Sequence, residues 1–175
     1  STARVIESCC PYIKNANHMP GIDIDAVLIA IRIATFGDKM GVSQICPKCK
    51  SENDYEIELG KLLDYFNNLK FINTITVDEL LTIRIRPLQY EEMNYFSMEN
   101  FKLQKTLYQS ADLKEEEKQQ TIDQIYKDLS ELQLQLFLTA VESVQVDGQT
   151  VTEKQHIEEW MRNSERETYK MVKTK

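Results

Sequence analysis

Glycine and proline are scarce in this sequence, five and four among 175 residues, and no Ser/Gly-rich or Pro-rich stretch offers a flexible linker. The chain is therefore expected to be ordered through most of its length. Long hydrophobic runs are also missing. The longest, Ala26 to Ile31, is about a third of the roughly 20 apolar residues that a membrane span needs, and Arg32 closes it. The opening Ser1-Thr2-Ala3-Arg4-Val5-Ile6-Glu7 lacks the basic-then-apolar layout of a signal peptide. A reducing cytoplasm is the expected location, and the missing initiator Met points to a further N-terminal segment.

Positive charge is in deficit: 21 Lys and Arg face 28 Asp and Glu, for a net charge of −7. A net-acidic surface is repelled by a phosphate backbone unless a local basic stripe outweighs it. The nearest approaches to such a stripe are Lys48/Lys50 and Lys170, Lys173 and Lys175, which read as a solvated face and tail. Catalytic signatures are absent too. There is no GxxxxGK[ST] loop or GxGxxG turn for phosphate, and the two histidines, His18 and His156, sit in no triad sequence. The carboxylate pairs Glu91/Glu92, Glu115 to Glu117 and Glu158/Glu159 have the look of solvated helix faces. An enzyme is not expected.

The sequence does contain alternating helical and two-residue periods, which point to an α+β, mainly helical fold. Ile24 to Phe36 places Val27, Leu28, Ile31 and Ala34 at helical spacing, with Asp23 or Asp25 to cap its start and Gly37 its end; a buried helix is expected there. Tyr55, Ile57 and Leu59 then alternate with Asp54, Glu56 and Glu58, so Val42 to Leu59 reads as a β-hairpin with Cys46-Pro47-Lys48-Cys49 at its tip. Lys61 to Leu69 fits a short helix. A second hairpin is expected where Thr74 to Val77 meets Leu80 to Arg86 across Asp78-Glu79.

After Pro87 the pattern turns helical. Met93, Phe96, Leu103 and Leu107 mark one helix, and Ile122, Ile125, Leu129, Leu132 and Leu136 form the stripe of a second, running from about Leu113 to Val144. Asp147-Gly148 predicts a tight turn between two very short strands. Thr152 with Gln155, and Ser164 with Glu167, are capping boxes for two final helices. The expected division is a mixed lobe over 1–87, carrying the cysteine hairpin, and a helical bundle over 88–175, unless the two are one continuous domain.

Cys46 and Cys49 have the spacing of one zinc knuckle, which is half a site. A structural zinc would need Cys9 or Cys10, and in one variant His18, to complete it; otherwise Cys9 and Cys10 are small buried apolar residues and Cys46/Cys49 a plain turn. Candidate partner contacts are Arg84 and Arg86, able to grip carboxylates with both prongs or else to lie on an exposed strand face. Leu134, Phe137 and Leu138 leave the last turns of their helix apolar on most sides, so either the chain or a partner must cover them. Trp160, with Tyr169 beyond it, either anchors an interface or closes a core.

Three segments in order carry a resemblance: His18-Met19-Pro20-Gly21-Ile22-Asp23-Ile24-Asp25 continuing through Ile31-Arg32-Ile33-Ala34 to Gly37, then Cys46-Pro47-Lys48-Cys49, then Ile83-Arg84-Ile85-Arg86-Pro87-Leu88. Together they resemble the baseplate hub and hub-assembly proteins of T-even-type myoviruses, over about Val5 to Tyr169. The resemblance implies a structural or assembly role in a contractile phage tail baseplate, with other baseplate or tail subunits, or further copies of the chain, as partners. It further implies assembly in the host bacterial cytoplasm and a place in the virion tail. It brings no catalytic residue. The competing expectation, from the cysteine hairpin alone, is a zinc-hairpin phage regulator that binds nucleic acid.

Overall fold

The computed structural model describes residues 1–112 and 114–163, which form two compact units divided between Lys70 and Phe71. The Ser164/Glu167 capping box and Tyr169 lie outside the described residues.

The first unit begins with helix α1 (Thr2–Cys9), a 3-10 turn at Ala16–His18 and helix α2 (Gly21–Phe36). The Glu7 carboxylate accepts the Ala16 amide at 3.0 Å and so fastens the turn to α1. Pro20 caps α2, with Asp23 in its first turn, where the helix dipole favours a carboxylate; Gly37, at φ 89°, ends it. The helix forms where expected, but the chain buries only Gly21 and Ile24 of it, and Phe36 remains 73% exposed.

Strands β1 (Lys39–Ile45) and β2 (Glu52–Glu58) form an antiparallel two-stranded hairpin in which Val42 lies opposite Tyr55 and Met40 opposite Ile57. Helix α3 (Leu59–Asn68) follows β2 without a loop. Its start is capped from a distance: the Asp38 backbone carbonyl accepts the Leu59 amide, and the Asp38 carboxylate accepts the Gly60 amide. Ala3, Ile6, Ala16, Ile24 and Leu59 are the buried apolar residues of this unit.

The second unit is built on one antiparallel sheet in the order β3 (Thr74–Thr76), β4 (Leu81–Ile85), β5 (Val141–Val146), β6 (Gln149–Val151). The Asp78 carboxylate closes the β3–β4 turn by accepting the Leu80 and Leu81 amides, each at 2.8 Å. Asp147 and Gly148, both at positive φ, make the β5–β6 turn as the Asp-Gly signature predicts. Helices α4 (Tyr90–Gln109) and α5 (Glu115–Ala140) pack together between β4 and β5, and α6 (Lys154–Asn163) follows β6.

Two expectations change here. The second hairpin shares its sheet with β5 and β6, so it belongs with the C-terminal helices, and the division falls after Lys70 instead of at 87. The long helix also ends at Ala140, where a strand begins at Val141. Val141 and Val144 are three apart, a helical spacing, yet both face inward on a strand because the register slips by one residue opposite Arg84/Ile85. The bulge leaves Glu142 outside and brings both valines onto the face of Ile83 and Ile85. Leu81, Ile83, Leu138, Val141, Val144, Ile157 and Met161 form the core of this unit.

Candidate functional site

The sequence-predicted contact residues divide sharply once placed. Leu138 is a core residue, and Leu134, Phe137 and Trp160 pack against that core. These four residues close the sheet against α5 and α6, which is why the last turns of α5 are apolar on more than one side. Arg86 is also engaged internally: its guanidinium grips Glu92 through two hydrogen bonds, and Nη1 donates to the Pro87 carbonyl. This pairing raises the Arg86 pKa and lowers that of Glu92. Arg84 lies 3.3 Å from Glu142 on an exposed strand face. The Arg86 fork is thus occupied within the chain, whereas the Arg84 contact to Glu142 is made through Nε alone.

The apolar surface that is uncovered lies elsewhere. None of the twenty residues of α4 is buried. Its inner side, with Phe96 and Leu103, meets Leu132 of α5 across an open groove of about 780 Å³. Met98, Phe101 and Tyr108 recur at steps of three and seven along its outer side, and they are 60%, 67% and 81% exposed. The groove carries Glu91, Glu92, Glu99, Asp128 and Glu131 around a floor of Phe96, Leu103 and Leu132, so it is apolar below and acidic at the rim. The lining contains no histidine, cysteine or lysine, and its titratable groups are these five carboxylates and Tyr95.

Glu131 on the rim has a second role. Its carboxylate receives both terminal nitrogens of Arg162 from α6, at 3.0 and 2.6 Å, while Arg162 also holds Glu158. The Arg162 pairing, helped by Gln135, lowers the Glu131 pKa to about 2. The signal for the outer face of α4 was present in the sequence as a second three-and-seven spacing beside the Met93, Phe96, Leu103, Leu107 stripe, and the first stripe masked it.

In the first unit the four cysteines do not gather. Cys9, exposed, and Cys10, half-buried, end α1, and among the described residues no group of three or more His, Cys, Asp or Glu is placed to hold a metal. Cys46 and Cys49 do come together at the hairpin tip. The Cys46 amide donates to the Ser51 carbonyl and the Lys50 amide to the Cys46 carbonyl, with Lys50 at φ 59° turning the chain back into β2. The Ser51 hydroxyl, 3.0 Å from Cys49 Sγ, is the main cause of a Cys49 pKa lowered to about 7, with the Ser51 backbone and the Cys46 thiol adding to it. Lys48 and Lys50 are the basic residues of the tip, and β2 continues from it with the acidic residues Glu52, Asp54, Glu56 and Glu58. No helix is long and apolar enough to cross a membrane among the described residues.

The family described as T4 bacteriophage base plate protein matches the chain over residues 1–175. No curated protein and no solved structure matches it.

Proposed function

The chain belongs to the T4 bacteriophage base plate protein family, and from that premise we propose that it is a structural or assembly component of the hub region of a contractile tail baseplate. In this reading it works through protein–protein contact and without catalysis. It assembles with other baseplate subunits in the host cytoplasm and takes its place in the virion tail.

One observation carries the reading: α4 runs for twenty residues without burying one, and it lines up Met98, Phe101 and Tyr108 on its open side. Clustered large side chains of this kind mark interfaces, where covering each contributes about 1.5–3 kcal/mol before the costs of association. Helix α2, apolar around most of its circumference yet buried only at Gly21 and Ile24, adds a second uncovered face in the other unit.

Co-sedimentation with partially assembled baseplates tests the proposal. The wild-type chain travels with them, whereas the double variant Met98→Glu/Phe101→Glu keeps its circular-dichroism spectrum and stays behind. A wild-type chain that remains monomeric and binds no tail component overturns it.

A further inference from the structure

The hairpin β1–β2 stands out as an element with little to hold it. Two strands alone are marginal in water, and here Val42, Ile45, Tyr55 and Ile57 are all exposed, so the stem packs very little of its own apolar surface. The base of the hairpin is fixed by Asp38 to the start of α3. The far end has only its turn, yet that turn has a definite form: a closed six-residue loop, Cys46 to Ser51, with a left-handed lysine at Lys50, which brings the half-buried Cys46 thiol beside the exposed Cys49 thiol. A side chain at φ 59° costs energy that an ordinary turn with glycine or asparagine would avoid.

We infer that this tip is half of a zinc site, completed by the same tip of a second copy, so that Cys46 and Cys49 from each chain hold one Zn²⁺ between two molecules. The stoichiometry follows from the residues available. A structural zinc is almost always four-coordinate and favours thiolates and imidazoles. Besides the tip pair the sequence holds only Cys9, Cys10, His18 and His156 of those types, and none of them joins the pair. His156 instead lies 3.1 Å from Glu153. Two tips together supply the four thiolates of a complete site.

The local charge suits the product. Four thiols each lose a proton to solvent as a Zn–S bond forms, and the resulting centre carries a charge of 2−. Lys48 and Lys50 flank the thiols in each chain, so a pair of tips surrounds that charge with lysines, on a protein that is otherwise acidic. The inference stands apart from the docking role of α4, because it concerns the other unit and a different kind of bond.

The test uses the whole chain, purified under reductant and supplied with zinc chloride, with metal content by mass spectrometry and molar mass by sedimentation. The expected result is one zinc per two chains and a species of twice 20.4 kDa that halves when zinc is chelated. Cys46→Ser/Cys49→Ser loses both metal and pairing while keeping the circular-dichroism spectrum. Cys9→Ala/Cys10→Ala keeps both. Cobalt in place of zinc gives the intense visible bands of a tetrahedral thiolate site. One zinc per chain in a monomer, zinc that survives Cys46→Ser/Cys49→Ser, or no bound zinc at all, each overturns the inference.

Discussion

Arg86 holds both oxygens of Glu92, Nη1 to Oε2 at 2.8 Å and Nη2 to Oε1 at 2.6 Å, while Glu92 Oε2 also accepts the Gln89 amide at 2.9 Å. The pair thus ties the end of β4 to the first turn of α4 and completes a capping box there, with Gln89 as the other half. Both side chains are about a quarter exposed, at 30% and 21%, so solvent screens the pair only in part. Arg86→Ala is expected to cost the second unit about 1–2 kcal/mol in urea unfolding, and Glu92→Gln, which keeps one acceptor oxygen, less.

Acid should loosen the same unit. Glu92 and Glu131 have folded-state pKa values below their ordinary range, held there first by Arg86 and by Arg162 respectively, and for Glu131 the value is about 2. A depressed carboxylate contributes stability that is complete above its unfolded pKa of about 4.3 and is lost as pH falls towards the folded value. Melting temperature is therefore expected to fall between about pH 4.5 and 2, and Glu131→Gln should flatten that slope by lowering the melting temperature at pH 7 towards its acid value, with little change at pH 2.

Asp38 reaches across 22 residues to cap α3. Asp38→Ala should weaken that helix by about 1 kcal/mol, read as a roughly fivefold loss of hydrogen-exchange protection in its first turn. Gly60→Ala is expected to act the same way, because the added Cβ would stand 2.9 Å from the Asp38 carboxylate oxygen and push the cap aside.

Core and outer face should separate cleanly under mutation. Ile83, fully buried between Ile75 on β3 and Val144 on β5, leaves a cavity when cut to alanine, with an expected loss of about 2–4 kcal/mol. Phe101→Ala removes a larger side chain from an exposed position and should change unfolding by less than about 0.5 kcal/mol. A large loss at Phe101 would mean that α4 is covered within the chain itself.

Much of this architecture was legible from the residues. The alternation through Tyr55 and Ile57, the Asp147-Gly148 turn and the stripe from Ile122 to Leu136 each rest on local chemistry, and each produced the expected element. What escaped depends on neighbours. Val141 and Val144 keep a helical spacing, and only the bulge opposite Arg84/Ile85 makes that spacing fit a strand. Leu134, Phe137, Leu138 and Trp160 are apolar enough for an interface, and the sheet that covers them is assembled from strands more than fifty residues apart in the chain. Asp38 as a cap for α3, and Glu92 as the partner of Arg86, likewise required the fold to bring them within reach.

Hydroxyl-radical footprinting of the chain, free and in assembled baseplates, tests the docking of α4 most directly. Met98, Phe101 and Tyr108 are expected to oxidise readily in the free chain and to be protected at least severalfold after assembly, while exposed Tyr12 serves as a comparison in the other unit. Equal oxidation of the three α4 side chains in both states would contradict the account.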